Sequence, residues 1–182
     1  VAQNFLLAKG LLRPDEASDQ AIDWRYIARK AGEHLFLTLI STLVAVVVGI
    51  PLGLLFLQMD RLGPLMITLT GVIQTVPSLA LLGFMIPLFG IGKVPALVAL
   101  FLYGLLPIVS NTFTGIYYLD PGLKEAATSL GMSRQQKLFQ LEIPLALPMI
   151  ITGIRTAAVI NMGTATLAAF IGAGGLGEPI IS

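Results

Sequence analysis

The sequence predicts an all-α integral membrane protein, with four complete transmembrane helices plus a truncated further helix. Three observations carry this reading. Hydrophobic residues make up 55% of the chain and charged residues 12%, about half the charge of an average soluble domain. Mean hydropathy is +0.87. Residues 35–59, 62–92 and 94–119 are free of charge, and a fourth apolar run from 143 to 171 is interrupted only by Arg155. A span needs about 20 apolar residues, so each run is long enough to cross a bilayer. The spans read as 35–57, 64–89, 94–118 and 144–170.

Residues 1–33 are too polar to span and lack the continuous apolar core of a signal peptide. Trp24, Tyr26 and Ile27 interleave with Arg25, Arg29 and Lys30, which suits either an interfacial helix leading into the first span or a solvated tail. The domain organisation is therefore a polar segment 1–33 followed by one transmembrane domain over 34–182. Both ends read as incomplete. The chain begins at Val1, and Pro179-Ile180-Ile181 looks like the start of another apolar helix.

In the first span, Gly49 and Gly53 form a small-xxx-small pair, the signature of close helix packing. In the second, Gln74-Thr75-Val76-Pro77-Ser78 sets three polar side chains beside a proline. Proline removes a backbone donor and kinks a helix, and a kink is tolerated where neighbours or a cavity satisfy the freed carbonyls. A polar, broken helix is what a translocation path needs, and it also suits interhelical hydrogen bonding. The third span adds Tyr103, Pro107, Asn111 and Thr112.

The polar stretch 120–143 is the one long insertion between apolar segments in the second half of the chain. Asp120 is a good N-cap and Pro121 fits the first helical position. Leu123, Ala126, Ala127 and Leu130 recur at helical spacing and predict one apolar face. Gly131 suits the left-handed position that ends a helix, and Ser133 with Gln136 forms a capping box that starts another. Ile143-Pro144 closes the unit. Two short helices joined by a glycine, between two spans, make either a mechanical lever or an ordinary surface connection.

In the last span Arg155 is the only embedded charge, and its cost implies a bundle interior or a wet cavity, as gate or as structural brace. Asn161 and Thr164 follow on the same helix. A wet route through the spans would be lined by Gln74, Thr75, Ser78, Tyr103, Asn111, Asn161 and Thr164. Gly172-Ala173-Gly174-Gly175-Leu176-Gly177 fits the dinucleotide fingerprint in letters only, because it follows a membrane span and not a strand. It reads as a flexible hairpin or hinge.

Enzyme chemistry finds little support. His34 is the only histidine and there is no cysteine, so multi-histidine and thiolate metal sites are excluded. No Asp or Glu lies inside the four spans, which weakens a proton-coupled carrier. No P-loop is present, so active transport would draw its energy from another subunit. No basic cluster suggests nucleic acid.

The run Glu125-Ala126-Ala127, three residues, Gly131, nine residues, then Leu141-Glu142-Ile143-Pro144 resembles the EAA loop of ABC-importer permeases. Leu141 and Ile143 stand in for the isoleucine and leucine of that pattern. Ile73–Gly83, Leu102–Ile108, Gly153-Ile154-Arg155-Thr156-Ala157 and Ile171–Gly177 resemble the osmoprotectant branch of these permeases. Ser110 departs from the pattern, standing where many relatives carry a basic residue before Asn-Thr. The resemblance covers about residue 35 to the end. It implies a type I ABC-importer permease-like bundle that imports glycine betaine, carnitine, choline or a related quaternary amine. It implies that Glu125, Ala126, Ala127, Gly131 and Ser133 couple to a cytoplasmic ATPase subunit. ATP and Mg would then sit on that subunit, with no cofactor bound by this chain. It further implies a second permease copy, a binding protein or fused binding domain outside, and residence in the bacterial cytoplasmic (inner) membrane. The competing expectations are a permease for amino acids or another small solute, a secondary transporter, and a non-transporting membrane scaffold.

Overall fold

The computed structural model describes residues 23–59 and 62–181, and the expectations for residues 1–22 lie outside them. Helix α1 (Trp24–Phe56) opens at Asp23, whose carboxylate accepts from the backbone N–H of Arg25 (2.9 Å) and Tyr26 (3.2 Å). The interfacial segment and the first span are thus one continuous helix. Helix α4 (Lys93–Tyr117) and helix α7 (Ile143–Leu167) pack against α1 to form the trunk.

The span expected over 64–89 is instead two helices, α2 (Leu62–Ile73) and α3 (Ser78–Phe89), meeting at 93°. The break has a local cause. Pro77 offers no N–H, and a residue before proline is pushed out of the helical region. The last turn of α2 tightens instead, with Thr75 N–H donating to Val72 O and Val76 N–H to Ile73 O. Trp24–Phe56, Lys93–Tyr117 and the continuous stretch Arg134–Ile171 are each long and apolar enough to cross a membrane, and the bent pair makes a fourth crossing if counted as one.

Small residues set how closely the trunk packs. A Cβ on Gly49 would lie 2.9 Å from Ile108 and one on Gly53 2.8 Å from Thr112, so α1 and α4 touch almost backbone to side-chain base. Gly153 does the same for α7, where a Cβ would sit 2.8 Å from the Asn111 Cβ and 2.9 Å from the Pro107 carbonyl. Around these contacts Ala45, Ile108 and Ala157 fill the middle of the trunk, and Ile116, Ala146 and Ile150 one end. Leu37, Leu82, Leu100 and Ala165 fill the other end, which also holds α3. Leu39, Leu43 and Val47 remain exposed on α1, as a face toward lipid requires.

Candidate functional site

The polar insertion is built by its own caps. Helix α5 (Pro121–Ser129) starts at Asp120, whose carboxylate accepts from Gly122 N–H at 2.7 Å. It ends in a Schellman motif: Met132 N–H reaches Ala127 O (3.1 Å) and Gly131 N–H reaches Thr128 O (3.0 Å), with Gly131 at φ +79°. Helix α6 (Arg134–Lys137) opens on a complete capping box, Ser133 N–H to Gln136 Oε1 (2.8 Å) and Gln136 N–H to Ser133 Oγ (3.3 Å). The second short helix is not separate from the last span, however. A π turn, Leu138–Glu142, carries α6 straight into α7, and Pro144 sits harmlessly in its first turn. Lys124 ties α5 to the end of α4 through Ile116 O (2.8 Å), and Lys137 ties α6 to α5 through Thr128 Oγ1 (3.0 Å).

Glu125, Ala126, Gly131 and Ser133 lie exposed on this unit. Ala127 does not: it is 4% exposed and packs inward, one residue and so about 100° round the helix from Ala126. The expected apolar face also divides, because Leu130 is 83% exposed at the tip. Phe139, 65% exposed on the π turn, is a second large apolar group that sequence reasoning missed.

The polar residues of the spans fall into three places. Gln74, Thr75 and Ser78 gather at the α2–α3 break, and Tyr103 from α4 reaches the same point, its hydroxyl donating to Val76 O. Asn111 spends one N–H on Pro107 O of its own helix (2.8 Å). Asn161 and Thr164 are inside the bundle of this chain and not on an open face. Asn161 is fully buried and donates to Ser41 Oγ (3.2 Å) and Thr42 Oγ1 (3.0 Å), joining α7 to α1, because a buried amide must find partners. Arg155 lies exposed on α7 beside Thr152 and Thr156, and it makes no ion pair or hydrogen bond among the described residues.

At the opposite end lies a second cluster, of which the sequence shows little sign. Lys30 Nζ sits 2.6 Å from Glu178 and 3.3 Å from Glu33, and Glu33 accepts from Gly175 N–H at 3.3 Å. His34 bonds Met162 O at 3.1 Å, and Gly92 N–H donates to Ile171 O at 2.9 Å. The glycine-rich stretch 172–177 is thereby tied down: Gly174 and Gly175 take φ +81° and +82°, and a Cβ on Gly174 would lie 2.6 Å from Glu33 Oε2. Lys30→Glu and Glu178→Lys should each lower the thermal midpoint of the purified protein, and the double exchange should recover most of the loss. Equal midpoints for all three variants would remove the pair as a tie.

A family model described as binding-protein-dependent transport system inner membrane component matches residues 19–182. The chain belongs to that family. As a binding-protein-dependent transport component it is a multi-pass inner-membrane permease, and relatives agree. The chain is 47% identical over 151 residues to the glycine betaine/carnitine/choline transport system permease protein OpuCB of Bacillus subtilis, covering 83% of this chain and 70% of that one. It is 47% identical over 157 residues to the osmoprotectant import permease protein OsmW of Salmonella typhimurium, covering 84% and 73%. Among solved structures, an inward-facing MetNI methionine ABC transporter superposes with a TM-score of 0.75 at 24% identity, over 84% of this chain and 77% of that one. This last likeness shows the permease fold alone.

Proposed function

We propose that this permease moves a small quaternary ammonium osmoprotectant inward, driven by an ATPase that docks on the α5–α6 unit. The observation that carries the reading is the unit itself. It pairs α5, a short helix capped at both ends and tied by Lys124 to α4, with α6, which runs on into α7, and it presents Glu125, Ala126 and Leu130 outward. A rigid projection with an apolar tip joined directly to a span fits a socket on a partner. The relatives transport glycine betaine, carnitine and choline by their names, which supports the same ligand class here. A separate or fused binding protein outside and a second permease copy complete the assembly.

Arg155 and its neighbours supply the route. An arginine exposed in mid-helix on an apolar span is costly against lipid, so the Thr152–Arg155–Thr156 face turns to water or to a second copy. The break at Gln74, Thr75 and Ser78 offers weak polar contacts, while Tyr103 beside it is buried with its hydroxyl on Val76 O. Weak contact suits passage, since a tight site would trap the ligand. A cation near Arg155 is repelled, whereas a zwitterion can turn its carboxylate to the guanidinium. The expected result is preferential uptake of glycine betaine over choline by the assembled complex, with Arg155→Gln narrowing the difference. Radiolabelled uptake of each ligand measures it; equal uptake of both, unchanged by the substitution, would remove Arg155 from the route.

A further inference from the structure

At the α5–α6 end of the bundle lies a cavity of about 410 Å3. Lys124, Arg134 and Lys137 line it against a single carboxylate among the described residues, Glu142. Each lysine has committed one N–H, to Ile116 O and to Thr128 Oγ1, leaving further donors for a ligand. None of the three cations forms an ion pair among the described residues. Like charges gathered in one concavity repel one another until an anion joins them.

The position of the cavity narrows the anion. Helix α1 ends at Phe56 and α4 at Tyr117, so the cavity lies where the spans leave the apolar layer. Tyr117 and Tyr118 stand edge to face there, 5.1 Å apart, as aromatic side chains do at a bilayer boundary. Leu54, Leu57 and Leu138 form its apolar wall. A pocket with leucines on one side and cations on the other matches a lipid whose phosphate joins an acyl-glycerol. Basic pockets between membrane helices at such a boundary hold anionic headgroups.

We propose that this cavity binds the headgroup of an anionic phospholipid. Arg134 engages two phosphate oxygens, Lys124 and Lys137 the remaining charge, and Glu142 with Gln58 the headgroup hydroxyls. The bound lipid bridges the ends of α1 and α4 to the α5–α6 unit, so the stiffness of that unit depends on lipid. Only this consequence for transport rests on the function proposed above; the binding stands apart from it.

The test uses the assembled transport complex in nanodiscs of phosphatidylcholine, with and without phosphatidylglycerol. Native mass spectrometry counts retained phosphatidylglycerol in wild type, Arg134→Lys, Arg134→Gln/Lys137→Gln and the distant control Arg29→Gln. Retention should persist in wild type, Arg134→Lys and the control and fall about tenfold in the double variant, a difference of about 1.4 kcal/mol in binding. Transport in wild type should rise with phosphatidylglycerol, and in the double variant it should not. Equal retention in wild type and double variant overturns the site. Stimulation by inorganic phosphate in pure phosphatidylcholine discs overturns the lipid assignment in favour of a free anion. Loss of the ATPase from the double variant with lipid retention unchanged overturns it in favour of a protein contact.

Discussion

Gly131→Val should abolish transport while the permease still inserts in the membrane, and Gly131→Ala should do so only in part. At φ +79° any side chain strains the backbone by about 1–2 kcal/mol, and a β-branched one by more. Nothing lies within 4 Å of the added Cβ, so the strain is purely conformational and cannot be relieved by repacking a neighbour. The turn would have to surrender its left-handed geometry. The bonds from Met132 to Ala127 and from Gly131 to Thr128 would then open, and Ser133 would no longer aim α6 into α7. Glu125→Lys should give the same loss by a different route, reversing a charge on the outward face without touching the fold. Uptake assays beside quantification of inserted protein check both. Normal transport by the two variants would remove the unit from coupling.

Gly153→Val should be the most destabilising single change in the trunk. The added Cβ would press into the Asn111 Cβ and, at 2.9 Å, into the Pro107 carbonyl, a backbone atom that cannot rotate away. Overpacking of this kind costs about 1–3 kcal/mol, and here it separates α4 from α7. Gly163→Ala is the matched control, since a Cβ there meets nothing within 4 Å. Alanine also favours the helix by about 1 kcal/mol over glycine. The thermal midpoint in detergent should therefore fall for Gly153→Val and hold or rise for Gly163→Ala. Equal midpoints would mean that α4 and α7 have slack at this crossing.

How far such features can be read from the sequence depends on the range over which their cause acts. The caps were legible because Asp120, Gly131, Ser133 and Gln136 act on backbone groups two to four residues away. The spans were legible because exclusion of charge is a property of composition. Pro77 announced a break, but its 93° bend depends on how α3 packs against α4, which no local pattern carries. Ala126 and Ala127 read alike until the helix turns one outward and the other inward. Asn161 reads equally well as lining or as buried glue until Ser41 and Thr42 are found opposite it, about 120 residues away in sequence. The tie between Lys30 and Glu178 spans 148 residues and left no periodic trace.

The unbroken path from Arg134 to Ile171 has a mechanical consequence. A stiff rod of 38 residues is nearly twice the thickness of the hydrocarbon layer, so part of it must stand outside. Up to Leu167 its points of compliance, the π turn at Leu138–Glu142 and Pro148, both fall near the α5–α6 end. Beyond Pro148 no further proline interrupts the backbone ladder up to Leu167. Flexure up to Leu167 is thus confined to the boundary region, and the turns past it move in phase. A displacement that reaches α6 is absorbed within the first turns or delivered whole to Arg155 and Asn161, with no intermediate joint before the 3-10 turn Ala168–Ile171 that leads into the glycine stretch.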